Sequence, residues 1–325
     1  MRIKFLGAYL TCIASIALIA PLSTLAGETS LTLESEFARV LNPLTAKRLV
    51  PGYYFAVYKN GEKVFERAEG QADEQEKLLP SENTLYAVAS MTKPLTALAL
   101  LRLSETTDLR LDDPVSKYIP SFEDVLVAPG GSYDTQMVAA SRQITLFDLL
   151  THTSGLTYSS GITGVGEIAE AYKKLGILTI ESNAISRWGE LEKHIEKLTE
   201  LPLVNQPGER FTYSVGYDVA SRIIEIASGT SFDEYLTEEV LLPLGMVDTF
   251  FKVPEEKQDR LARLYSPLKR TYQIPTTPKM YQEARILPKG VKNFGVRSEL
   301  VGGGNGLISS PLDYSRFLNF LLKRS

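Results

Sequence analysis

The sequence predicts an α/β protein of the α+β kind, with a small mixed lobe, a large helical lobe and a return to the first lobe near residue 300. Three observations carry that reading. First, "GYYFAVYKNGEKVFERAEG" (52–70) has two strand-like runs on either side of Asn60-Gly61, a pair that favours the left-handed backbone of a two-residue hairpin turn. Second, helical periodicity dominates from residue 91 to about residue 285. Third, "VGGGNGLISSPLDYSRFLNFLL" (301–322) is a glycine loop that runs into a helix.

The elements follow in order. Phe37, Val40, Leu41 and Leu44 lie on one face of a helix over residues 31–48. The hairpin at 53–69 is marginal alone in water, so it must pair with more strands or pack on helices. A short strand-like piece, "TLYAVA", precedes a helix over Pro94–Leu103. "TLFDLLTHTSGL" is a second helix, with Thr145 as its cap and Gly155 at its end. Glu190–Leu201 is a charged amphipathic helix. Helices at Tyr217–Ala227 and Phe232–Leu241 are separated by "SGTS", a stop and a new cap. Residues 253–295 are irregular, rich in proline and mixed charge, and Ser310-Pro311 starts the last helix. No internal repeat is present. The αβ lobe then covers about 27–90 and 296–325, and the helical lobe about 91–295.

Residues 1–26 read as a secretory signal peptide. Arg2 and Lys4 open it, an apolar run from Phe5 to Ala20 follows, and Ser23-Thr24-Leu25-Ala26 offers a cleavage site. Pro21 stops the run short of the roughly 20 apolar residues a membrane span needs, so no stable span is expected after cleavage. The protein is therefore expected to be exported, to a periplasm or beyond the cell. The only cysteine, Cys12, lies inside this segment, and the mature chain must be stable by packing alone. Cleavage takes the 35 basic residues to 33 against 39 acidic, a net charge of −6. The basic residues are scattered among acids, as in "KQDRLARLYSPLKR", which is no nucleic-acid footprint.

Ser90 and Lys93 stand three apart at the start of an apolar helix, so both lie on one face. A lysine takes a serine's proton only when neutral, and burial or a nearby charge can bring that about. Backbone N–H groups at a helix start can stabilise an oxyanion. The spacing suits acyl transfer but is unspecific: a chain of this length shows roughly one such pair by chance. Ser266 and Lys269 are that pair here, in an irregular polar segment. On spacing alone, a nucleophile and an ordinary helix-start serine both remain open.

The flanking residues add to this. "SMTKPLTALALL" (90–101) resembles the serine–lysine motif of the serine β-lactamase and penicillin-binding superfamily, above all the class C type β-lactamases and their esterase relatives. "LFDLLTHTSGL" (146–156), "FTYSVGYDVASRIIEIASGTSFDEYL" (211–236), "PLGMVDTFF" (243–251) and the glycine-loop segment follow in the family's order. The resemblance implies an antiparallel sheet flanked by helices plus a helical lobe. It also implies catalytic roles for Ser90 as nucleophile, Lys93 as base and Tyr213 as proton carrier. Tyr213-Ser214-Val215 matches the family's Tyr-x-Asn motif with the asparagine replaced. That asparagine binds the amide side chain of β-lactams, so Val215 points to esters. The family's Lys-Thr-Gly element, or its His- or Trp-x-Gly equivalent, lies on a strand well after the glycine loop and has no match before Ser325. The last sheet strands are thus expected beyond the sequence.

The expected partner is a small-molecule ester or amide; no cofactor is implied, and nothing fixes an oligomeric state. The loops at 129–142 and 253–295 are expected to shape the pocket. A β-lactamase or D-amino-acid peptidase is the second enzyme reading, and a non-catalytic binding protein the third. There is no Gly-x-Ser-x-Gly elbow, metal-ligand cluster or dinucleotide fingerprint. His152 is expected to be a hydrogen-bonded structural residue, and His194 to face solvent in its charged helix.

Overall fold

The computed structural model describes residues 29–159, 164–177, 191–267, 281–283 and 301–324. The candidate signal segment, 1–26, and most of the irregular 253–295 stretch lie outside the described residues. In chain order the elements are helix α1 (Thr29–Ala46), strands β1 (Gly52–Lys59), β2 (Glu62–Gly70) and β3 (Tyr86–Ala87), and helix α2 (Thr92–Thr106). Strands β4 (Leu126–Val127) and β5 (Val138–Ala139) precede helices α3 (Leu146–Leu150), α4 (Gly166–Lys174) and α5 (Leu191–Leu198). Helices α6 (Gly216–Ser228) and α7 (Phe232–Leu236) lead to β6 (Thr249–Phe250), β7 (Tyr265–Pro267), β8 (Tyr281–Glu283), β9 (Ile308–Ser309) and α8 (Pro311–Arg324). The architecture is mixed, with small antiparallel sheets among many helices.

The described residues fall into two compact units. One comprises the described residues of 29–87, 253–283 and 308–324, the other those of 88–252 and 301–307. In the first, β1 and β2 pair antiparallel from Gly52↔Gly70 to Lys59↔Glu62. Asn60 and Gly61 make the turn with φ of 54° and 86°, as the sequence predicts. The hairpin finds its cover in α1: the Phe37 ring sits 4.8 Å from that of Phe55 and 5.0 Å from that of Phe65. β3 pairs with β9, and β7 with β8. The Ser310 hydroxyl accepts the Asp313 N–H at 3.1 Å and caps α8, as predicted.

The second unit is mainly helical. α2 packs against α6, and Leu95, Ala99 and Leu100 of the one and Val219, Ala220 and Ile223 of the other are all fully buried. Thr145 caps α3 through a reciprocal pair of hydrogen bonds with Asp148. The helix is shorter than predicted. It ends at Leu150 and not near Gly155, because His152 takes a φ of 58° that no α-helix accommodates. Gly229 stops α6 with a φ of 74°, as expected, but Ser231 makes no side-chain cap on α7. His194 is a correction: it is buried, 8% exposed. Leu191, His194, Ile195 and Leu198 stand at the spacing of one helix face, and that apolar face turns inward. Among the described residues no helix is long and apolar enough to cross a membrane, and no His, Cys, Asp and Glu side chains cluster as a metal ion would require.

Candidate active site

Ser90 lies in a single 3-10 turn, Ala89–Met91, that leads into α2. Ala89 takes a φ of 46°, a strained value for a residue with a Cβ. The strain is held from both sides. The Thr92 hydroxyl donates to the Ala89 carbonyl at 2.7 Å, and the Val88 N–H donates to the Leu307 carbonyl at 3.0 Å. The resulting corner leaves Ser90 exposed while Lys93, one turn on, is 5% exposed.

Both sequence-predicted partners of Ser90 converge on its hydroxyl. Lys93 Nζ lies 3.2 Å from Ser90 Oγ, and the Tyr213 hydroxyl donates to it at 2.8 Å. Lys93 is further held by the Gly304 carbonyl, which accepts from Nζ at 2.6 Å. Tyrosine rings surround Lys93 Nζ, with centroids 4.7 Å away for Tyr213, 5.8 Å for Tyr158 and 5.9 Å for Tyr217.

His152 supports this cluster from behind. It is 6% exposed, and its ring packs 4.5 Å from that of Tyr213. Nδ1 accepts the Ser214 N–H at 3.2 Å, which requires that nitrogen to be unprotonated. Burial, and then the charge of Lys93, lower its pKa to about 4. Val215 is fully buried at the start of α6, so position 215 offers a ligand no polar group.

Sequence reasoning missed Asp218 and the role of the glycine loop. Asp218 is 2% exposed, and its Oδ1 accepts the Gly304 N–H at 2.9 Å. Burial raises its pKa to about 6, against the opposing influence of Lys93 and the Gly304 N–H. The available signal was position: Asp218 stands three residues before Ser221 on the apolar side of α6, where an acid needs a partner. Gly303 and Gly304 are glycines for want of space. A Cβ on Gly303 would collide with the Tyr217 carbonyl, and one on Gly304 would come within 2.6 Å of Asp218 Oδ2.

An exposed serine hydroxyl, flanked by a buried lysine and a tyrosine, is an arrangement suited to acyl transfer. The class this defines is shared by a known family: the beta-lactamase family model matches residues 37–325, and the chain belongs to that family. Esterase EstB of Burkholderia gladioli is 36% identical over 216 residues, 66% of this chain and 50% of the esterase. Monacolin J acid methylbutanoyltransferase of Aspergillus terreus is 30% identical over 257 residues, 78% of this chain and 56% of the transferase. Among solved structures, simvastatin synthase LovD from Aspergillus terreus superposes with a TM-score of 0.68 at 25% identity, covering 92% of this chain and 69% of that one. The chain spans about half the length of the curated relatives it matches.

Proposed function

We propose that this protein is an exported serine hydrolase that cleaves carboxylic esters through an acyl-enzyme on Ser90. The observation that carries the proposal is the double contact on Ser90 Oγ, 2.8 Å from the Tyr213 hydroxyl and 3.2 Å from Lys93 Nζ. These contacts are the two routes by which the serine proton can leave once either partner is deprotonated. Ser90 Oγ attacks the ester carbonyl, and its proton passes through Lys93 and Tyr213 to the departing alkoxide. Backbone N–H groups beside a nucleophile at a helix start can stabilise the developing oxyanion. Water, activated by the same pair, then releases the acid. The buried Val215 favours esters over β-lactams, since it presents no amide to a lactam side chain. Identity to EstB supports the same preference. Residues 1–26 direct export in this reading.

The similarity to a methylbutanoyltransferase favours a second course for the same acyl-enzyme, in which an alcohol replaces water as acceptor. One experiment addresses both. The full-length protein is assayed with a short-chain p-nitrophenyl ester and a chromogenic cephalosporin, with and without added alcohol. Ester turnover, no cephalosporin turnover and loss of all turnover in Ser90→Ala are expected. Unchanged hydrolysis by Ser90→Ala overturns the proposal. Ester product formed from the alcohol assigns acyl transfer.

A further inference from the structure

We infer that Asp218 is a positioning residue for the candidate reaction: by gripping Gly304 it fixes the carbonyl that aims Lys93 at Ser90. The inference rests on the acyl-transfer reading and adds to it a residue outside the serine, lysine and tyrosine motifs.

The hydrogen bonds run in series from α6 to the serine. The peptide joining Gly303 to Gly304 is held at both ends. Its carbonyl accepts the Thr96 hydroxyl of α2 at 2.8 Å, and its N–H donates to Asp218 Oδ1 of α6 at 2.9 Å. One residue along the chain, the Gly304 carbonyl accepts Lys93 Nζ at 2.6 Å, and Lys93 reaches Ser90 Oγ at 3.2 Å. Ser221 braces the near side: its Oγ accepts the Gly303 N–H at 3.2 Å and donates to the Asp218 carbonyl at 2.8 Å. A lysine stem has four freely rotating carbons, and one acceptor fixes its end only if that acceptor is itself fixed. Asp218 supplies that rigidity.

The fit is tight. A Cβ at Gly304 would lie 2.6 Å from Asp218 Oδ2, so the carboxylate abuts the glycine backbone with no space between. A carboxyl at 2% exposure is costly to bury, as its pKa near 6 reflects. A small apolar residue would fill α6 without that cost. What the carboxylate adds is a fixed acceptor for one N–H.

The experiment compares Asp218→Ala, Asp218→Asn and Gly304→Ala in the full-length protein, using p-nitrophenyl acetate. Reactive serine is titrated with a fluorophosphonate, so kcat is expressed per competent site. Asp218→Ala is expected to lower that kcat by about 30- to 100-fold with KM within about twofold, the scale of a misplaced catalytic group. Asparagine keeps an oxygen for the Gly304 N–H and should restore kcat to within about fivefold of wild type. Gly304→Ala, which displaces the loop from the other side, should reproduce the loss. A merely structural role would reduce the titrated fraction and leave kcat per site unchanged; that result overturns the inference. Equal impairment of Asp218→Ala and Asp218→Asn also overturns it. If Asp218→Ala does not fold, full activity per site in Gly304→Ala does the same. A wild-type protein that neither labels nor turns over ester defeats the acyl-transfer reading and the inference with it, an outcome distinct from failure of the variants alone.

Discussion

Replacing Asp218 by asparagine should change how stability depends on pH in a way no exposed substitution would. Burial lifts the Asp218 carboxyl from 3.8 to about 6, with Lys93 and the Gly304 N–H opposing the rise. A folded pKa above the unfolded one means a contribution fully present below pH 3.8 and lost as pH rises through 6. The loss amounts to about 3 kcal/mol. His152 runs the other way. Burial, then Lys93, lower it from 6.5 to about 4. Its contribution is present above pH 6.5 and is lost as pH falls through 4, again about 3 kcal/mol. Between pH 4 and 7 the two nearly cancel in the wild type. Asparagine removes the first and leaves the second. Urea unfolding at pH 4, 5, 6 and 7 is the assay. The stability of Asp218→Asn relative to wild type should rise by about 2.5 kcal/mol from pH 4 to pH 7, the unfolded carboxyl being already about half ionised at pH 4. The charged and titratable groups that face these two, Lys93 from α2, Tyr213 and Tyr217 beside His152, and Tyr158 beyond α3, are common to both proteins and drop out of the difference. Parallel curves across this range would refute the reasoning.

Two further outcomes are expected. Tyr213→Phe removes one of the two contacts on Ser90 Oγ and should lower kcat by about 100-fold or more while leaving the melting temperature within a few degrees, measured by steady-state kinetics and calorimetry. Asp148→Ala should destabilise by about 2 to 3 kcal/mol in urea, because it strips the paired bonds to Arg142 and leaves the Thr145 N–H and the Thr145 and Thr153 hydroxyls without their acceptor. Burial opposes ionisation of Asp148, but those partners prevail and hold it down to about 2, so the deficit should shrink only in strong acid.

The parts of the fold that the sequence makes legible are those set by short-range chemistry. Asn60-Gly61, Thr145 with Asp148, Gly229 and Ser310 each act within four residues, and each forms the turn, cap or stop its residue type demands. The meeting of Ser90 with Lys93 is local too, set by one helical turn. Tyr213 was legible only through resemblance, since 123 residues separate it from the serine it touches. What could not be seen depends on which way a face turns. His194 sits among charges in the sequence, yet its spacing with Leu191 and Leu198 carries it inward. Asp218 reads as an ordinary acid in an amphipathic helix until the glycine loop is laid against it.

Four departures from local preference stand close to Ser90, although others lie elsewhere: Arg48, Asn60 and Lys77 also hold a positive φ, and Asp73, Asp148 and Asp313 are also buried. Ala89 holds a left-handed φ that costs an alanine about 1 kcal/mol or more. His152 holds another, and its ring lies 4.5 Å from that of Tyr213. Lys93 and Asp218 are ionisable side chains buried to within 5% of full enclosure. Three of these positions would be more stable with a different residue: glycine at 89, leucine at 93, alanine at 218. All four stand around one exposed hydroxyl, or directly behind the groups that touch it. In the proposed reaction that arrangement lets the nucleophile stay in water while Lys93, the candidate base, stays buried.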